Sequence, residues 1–211
     1  MDLTTRVFDD AVPVIREHLE GEERGRFDRI LGEIGAGMRG ALADLPRRRI
    51  HGDCHTGNVL FHGNKVAGFV DLDHLPVGPA IYDICSALVD QIKRFVEDAE
   101  HTARWLEAFD RAIVGYERVI GLAEHEEGAI WSMMLAIQLL FAYWMFLHGS
   151  RGLAALNLRA FYWLYEHGDE ITRRITEATG RGPRRTRDGQ ARDGGGHTGG
   201  ATHGSADGDA A

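Results

Sequence analysis

The 211-residue sequence predicts an α+β fold that is predominantly α-helical, with one small β-hairpin carrying its polar site. Three observations predict it. Apolar residues recur at helical spacing before residue 50 and again from about residue 80 to 178. Between these stretches, two short runs rich in β-branched and aromatic residues flank a turn sequence. A hydrophobic content of 44% over this length is enough for one domain with a proper core.

In chain order, Phe8, Ala11, Val12, Ile15, His18 and Leu19 fall on one helical face, and Phe27, Ile30, Leu31, Ile34, Met38 and Leu42 on another. Gly35-Ala36-Gly37 lies inside the second pattern, and a bare Gly-x-Gly is a weak nucleotide signal. Val59-Leu60-Phe61 and Val66 to Val70 read as the two strands of the hairpin. His62-Gly63-Asn64-Lys65 supplies Gly and Asn where the turn wants positive φ.

A helix is expected to begin near Pro79, with Asp83 capping or bracing it, since Pro and acids favour a first turn. Helices then run over about 80 to 97, 101 to 121, 126 to 148 and 152 to 178. The stretch from Ile130 to Leu147 is long enough to be a membrane span, but it follows polar His125-Glu126-Glu127-Gly128 and has amphipathic neighbours that need a surface to pack on. It reads as a core helix, with Trp131, Trp144 and Trp163 as core residues and no membrane partner.

From Gly180 onward Gly, Arg, Asp, Thr and Ala dominate, with no large aliphatic or aromatic residue, so residues 180–211 are expected to be a disordered tail after a 1–179 domain. Arg184-Arg185-Thr186-Arg187 is offset by nearby acids. The whole chain carries a formal charge of −8, which argues against a nucleic-acid partner. Two cysteines, Cys54 and Cys85, are too few for a disulfide framework, and the N-terminus lacks the apolar core of a signal peptide. A cytoplasmic location is expected, with Cys54 read as a small hydrophobe rather than a reactive thiol.

The segment from Ile50 to Leu60, IHGDCHTGNVL, followed by Asp71 in GFVDLD, places Asp53, Asn58 and Asp71 at the spacing of a phosphoryl-transfer site. Such a site needs a carboxylate to orient and accept the proton of the attacking hydroxyl, an Asn five residues on, and a distal Asp. Asp53, Asn58 and Asp71 fit those roles in that order. The oxygen ligands Asn58 and Asp71 suit magnesium, which keeps waters and substrate phosphates in its other positions.

His51-x-Asp53-x4-Asn58, the return strand to Asp71, and Gly78-Pro79-Ala80-Ile81-Tyr82-Asp83-Ile84 resemble the C-terminal lobe of the aminoglycoside phosphotransferase and choline kinase family, over roughly residues 5 to 175. The resemblance implies a protein-kinase-like fold, ATP and magnesium as cofactors, and a small-molecule hydroxyl as acceptor. It implies Asp53 as catalytic base, Asn58 and Asp71 as ligands of the magnesium–nucleotide complex, and His51 as a loop-bracing residue. His55 and Asp73 are accessory candidates.

That family also has an N-terminal lobe whose strand Lys pairs with the phosphates. Lys65 and Lys93 are the chain's two lysines and both follow the loop, while the residues before Ile50 read as helices. The chain therefore looks like a truncated protein holding the C-lobe alone, its N-lobe apparently absent, with a separately encoded N-lobe as a candidate partner and little activity expected of the chain by itself. A non-catalytic lobe that binds a small molecule or a partner protein is the alternative.

Acceptor clues are sparse. Asp90, Glu97, Asp110, Glu117, Glu166, Asp169 and Glu170 read mostly as solvated helix faces. Tyr143, Trp144, Tyr162 and Trp163 could form an aromatic cage for a choline-type acceptor. A third reading takes His51, Asp53, His55, Asp71, Asp73 and His74 as a zinc or iron hydrolase cluster, though it leaves Asn58 without a role.

Overall fold

The computed structural model describes residues 2–180 other than Arg94, so the expected tail, apart from Gly180, lies outside the described residues. The chain opens with a short helix α1 (Leu3–Thr5), a π-helical segment (Arg6–Ala11) and α2 (Val12–His18). Pro13 has no N–H to give the carbonyl one turn back, and the wider π spacing upstream accommodates that gap. Helix α3 (Gly21–Leu42) buries Phe27, Ile30, Met38 and Leu42. These are the faces that the apolar spacing picks out.

The hairpin pairs β2 (Val59–His62) with β3 (Lys65–Phe69), antiparallel, with His62 opposite Lys65 and a register shift at Leu60 and Phe61. Gly63 takes φ +60° in its turn, where a side chain is disfavoured. A second antiparallel pair joins β1 (Arg47–Arg49) to β4 (Val77–Pro79), with Arg48 opposite Gly78. The sequence gives no local signal for it, because three arginines carry no apolar alternation and their partner lies about thirty residues away.

Four further helices were anticipated and five form: α4 (Tyr82–Ile92), α5 (Ala99–Val119), α6 (Glu124–Leu147), α7 (Arg151–Glu166) and α8 (Gly168–Thr179). Helix α4 starts at Tyr82 rather than near Pro79, which belongs to β4, and it stops at Ile92 rather than 97. The last apolar run divides at His167. A Cβ on Gly168 would stand 2.8 Å from the Trp131 ring, so glycine lets the chain pass close to α6 as it turns. Gly180 closes α8 in the left-handed conformation that commonly ends a helix.

Helix α6 is the hub, packing against α2, α3, α4, α7 and α8. Ile130, Met133, Met134, Leu135, Ile137 and Leu139 are all buried, as befits a helix apolar on every side. It is long and apolar enough to cross a membrane, and more than half of its most apolar stretch is buried inside the fold. The hairpin differs: Leu60, Phe61, Val66, Phe69 and Val70 are exposed, as are Leu72 and Val77 beside it.

Candidate active site

The loop carrying Asp53 is held by polar contacts from both sides. Gly52 adopts φ +82°, and a Cβ there would meet Pro76 Cγ at 2.7 Å, so the position favours glycine on two counts. Its amide and that of His51 both donate to the Asp83 carboxylate, at 2.9 and 2.7 Å. Asp83 thus anchors the loop as well as opening α4; it makes no side-chain cap to the helix, whose N-cap is Ile81.

His51 reaches across to the return strand, where Nε2–H donates to the Val70 carbonyl at 2.8 Å. Its Nδ1 faces the Asp53 amide at 3.4 Å, a long contact that leaves this nitrogen as acceptor. The imidazole therefore spans the two chain segments that carry Asp53 and Asp71.

Asn58 closes a 3₁₀ turn (Thr56–Asn58) and is 9% exposed. Its Nδ2 donates to the Asp53 carbonyl at 3.0 Å and lies 3.4 Å from Asp53 Oδ2. With the amide nitrogen so engaged, Oδ1 is the atom left for a cation. The Asn58 carbonyl accepts from the Val70 amide at 3.0 Å, which sets the next residue, Asp71, just beyond the hairpin. Asp71 is exposed at φ +62°, a left-handed conformation that Asp tolerates better than most residues. Asn58 and Asp71 supply oxygen donors of the kind magnesium takes.

His55 lies beside Asp53, with Nε2 3.6 Å from Asp53 Oδ2, while its Nδ1 accepts from the Gly57 amide at 3.0 Å and caps the 3₁₀ turn. Asp73 and His74 are exposed after the hairpin. Among the described residues no three His, Cys, Asp or Glu side chains gather as a metal-holding group, so the alternating His and Asp residues do not assemble a zinc or iron cluster. Cys54 is buried under the loop, and burial, reinforced by Asp83 and Asp53, pushes its thiol up to about 11. It stays protonated at neutral pH and acts as a small packing residue.

Two acids and one cation at the site escape a reading of the sequence alone. Asp83 has its loop partners about thirty residues away. Asp90, among the acids expected to be solvated, accepts from the Thr56 hydroxyl at 3.1 Å and pairs with Lys93 at 2.6 Å. Burial opposes its charge, yet the Lys93 and Thr56 contacts outweigh burial and hold its carboxyl below the usual range. Arg6, from the π-helical segment, lines a cleft of about 350 Å³ together with Asp53, Tyr82, Phe141 and Trp144. The other expected acids mostly pair with arginines, as in Glu166–Arg26 and Asp110–Arg174.

The aromatic cage does not assemble. Of its four candidates Trp144 lines this cleft, whereas Trp163 packs edge-on against Trp105 and Tyr162 lies beneath Arg26.

Comparison with known proteins finds matches to bacterial kinases. The 79-residue match to the stress response kinase A of Shigella flexneri is 35% identical, over 37% of this chain and 22% of that protein. The serine/threonine protein kinase RdoA of Salmonella typhimurium is 35% identical over 34% of this chain and 22% of its own length. A shorter match, to the stress response kinase A of Salmonella choleraesuis, is 49% identical over 41 residues, 19% of this chain and 12% of that protein. The matched stretch thus spans about a fifth of the first two relatives. No solved structure matches. The model of the phosphotransferase enzyme family, APH, covers residues 9–122, more than half of the chain and the whole loop and hairpin, and the chain therefore belongs to that family.

Proposed function

We propose that this chain is the kinase-like C-lobe of an ATP- and magnesium-dependent phosphotransferase, with Asp53 as catalytic base and Asn58 and Asp71 as magnesium ligands. The observation that carries the reading is the link from Asn58 Nδ2 to Asp53, within a loop anchored at Asp83. It ties the proton acceptor to a metal-facing amide. Asp53 stands half exposed at the cleft, free to orient an incoming hydroxyl and accept its hydrogen bond. Magnesium, when bound, offsets charge that develops on the phosphoryl oxygens.

The acceptor in this reading is a small molecule bearing a hydroxyl, aminoglycoside-like, choline-like or similar. A second reading, a Ser or Thr hydroxyl of a protein, is favoured by the similarity to the Salmonella typhimurium serine/threonine protein kinase RdoA. The exposed hairpin face supports a second lobe packing there, on the same or another chain, to supply the phosphate-facing Lys. Without that lobe we expect severely reduced turnover, since positioning dominates this chemistry. The acidic charge and two buried, unpaired cysteines favour a cytoplasmic setting without nucleic-acid partners.

Calorimetric titration of MgATP into the chain, with Asp71→Asn as control, tests the reading. Binding that disappears in the control supports it. No binding by the unaltered chain would mean that the lobe is incomplete without a second lobe, or that it is a non-catalytic lobe that holds a small molecule or a partner protein. In any form with turnover, Asp53→Ala should abolish activity.

A further inference from the structure

Gln138 is fully buried on α6, yet neither Oε1 nor Nε2 of its side chain has a hydrogen-bond partner in the protein. Buried carboxamides are rarely left so, because water or a partner normally meets both atoms. The side chain borders a cavity of about 50 Å³ whose walls include Asp53, Ser86, Asp90, Lys93 and Phe141. That cavity runs from the proposed catalytic carboxylate into the helical core. Its volume suits a few atoms at most, so it takes one substituent of a ligand. The larger cleft that shares Asp53 has room for the rest.

Charge narrows the occupant. Asp90 is already paired with Lys93, Gln138 is neutral, and Asp53, the other acid on the cavity wall, is taken up in this reading by the hydroxyl it orients, so an ammonium group finds no unmatched carboxylate to meet at Gln138. A hydroxyl meets either carboxamide atom, since it donates to Oε1 or accepts from Nε2. We propose that Gln138 is a specificity-determining residue that reads a second, uncharged hydroxyl of the acceptor beside the one presented to Asp53. The acceptor class is then a small polyol with neighbouring hydroxyls. This rests on the phosphotransfer reading above and adds the chemistry of its substrate.

The test is nuclear magnetic resonance of the full ¹⁵N-labelled chain, in which the Gln138 side-chain NH₂ signal is assigned by its loss in Gln138→Met. Glycerol is the polyol probe, with 1-propanol and ethanolamine as controls. Glycerol should shift that signal saturably, and bind about tenfold more weakly to Gln138→Met, since a site built to hydrogen-bond a hydroxyl rejects what cannot pair. Gln138→Glu, which keeps the shape and adds charge, should turn the preference toward ethanolamine and covers the case in which Gln138→Met does not fold. A Gln138 signal indifferent to glycerol, or moved equally by 1-propanol, would make Gln138 a hydrated core amide and overturn the inference. MgATP titration and Asp53→Ala separate the two readings. Intact nucleotide binding with a silent Gln138 signal overturns the polyol inference alone, whereas turnover that survives Asp53→Ala in a form completed by a second lobe overturns the phosphotransfer reading on which it rests.

Discussion

Helix α6 and the β2–β3 hairpin are both rich in large apolar side chains, but α6 buries them among five helices while the hairpin leaves Leu60, Phe61, Val66 and Phe69 in solvent. Packing stabilises the first, and backbone pairing with a few polar anchors holds the second. The difference divides the molecule: the helical half holds most of the buried apolar surface, and the segment running from Asn58 to Asp71 is expected to open more readily. Rigidity at the site must then come from hydrogen bonds rather than from burial.

The sharpest way to break this comparison is to truncate one side chain on each side. Leu135→Ala on α6 should cost about 2–5 kcal/mol, as for a fully buried leucine, read as a shift in the urea midpoint. Phe61→Ala should change stability by no more than ~0.5 kcal/mol; a comparable loss at both positions would mean that the hairpin is packed after all.

Cys54 probes the boundary between the two regions. With its thiol raised to about 11 from an ordinary value of 9, alkylation at pH 8 should run roughly 100-fold slower in the folded chain than in urea. Equal rates would place the loop in open solvent. Asp83→Ala removes the acceptor for two loop amides and should cost about 1–3 kcal/mol, with faster hydrogen exchange at His51 and Gly52.

The smallest effect expected is at Asp90. Its folded pKa is depressed, so its contribution is fully present above the unfolded carboxylate value of about 3.9 and is lost as pH falls through the lower folded value. Asp90→Asn should flatten the acid limb of the stability curve below about pH 4 relative to the unaltered chain.

The helical periodicity and the turn chemistry of residues 62–65 were legible because both are local, and the structure reproduces that hairpin and the buried helical faces, with the boundaries of α4 and the break between α7 and α8 set otherwise. The loop motif was legible for the same reason, since Asp53, His55 and Asn58 fall within six residues and meet through short contacts. What escaped is nonlocal. The β1–β4 pair, the Asp83 anchor and the Asp90–Thr56 bond each join positions about thirty residues apart. The break at Gly168 depends on a Trp131 ring from another helix. A residue's own neighbours in sequence carry no record of such partners, so Asp83 looked like a helix acid and Asp90 like a solvated one.

Helix α4 holds the loop at two places, through Asp83 at His51 and Gly52 and through Asp90 at Thr56. Seven residues, two turns, separate the carboxylates on one face, about 10.5 Å of axial rise. The pitch of α4 therefore acts as a gauge for the length of the segment bearing Asp53. Adding or deleting one residue between Gly52 and Thr56 would strand one end from its tether, so the length of this segment is as constrained as the identity of Gly52 and Asp53.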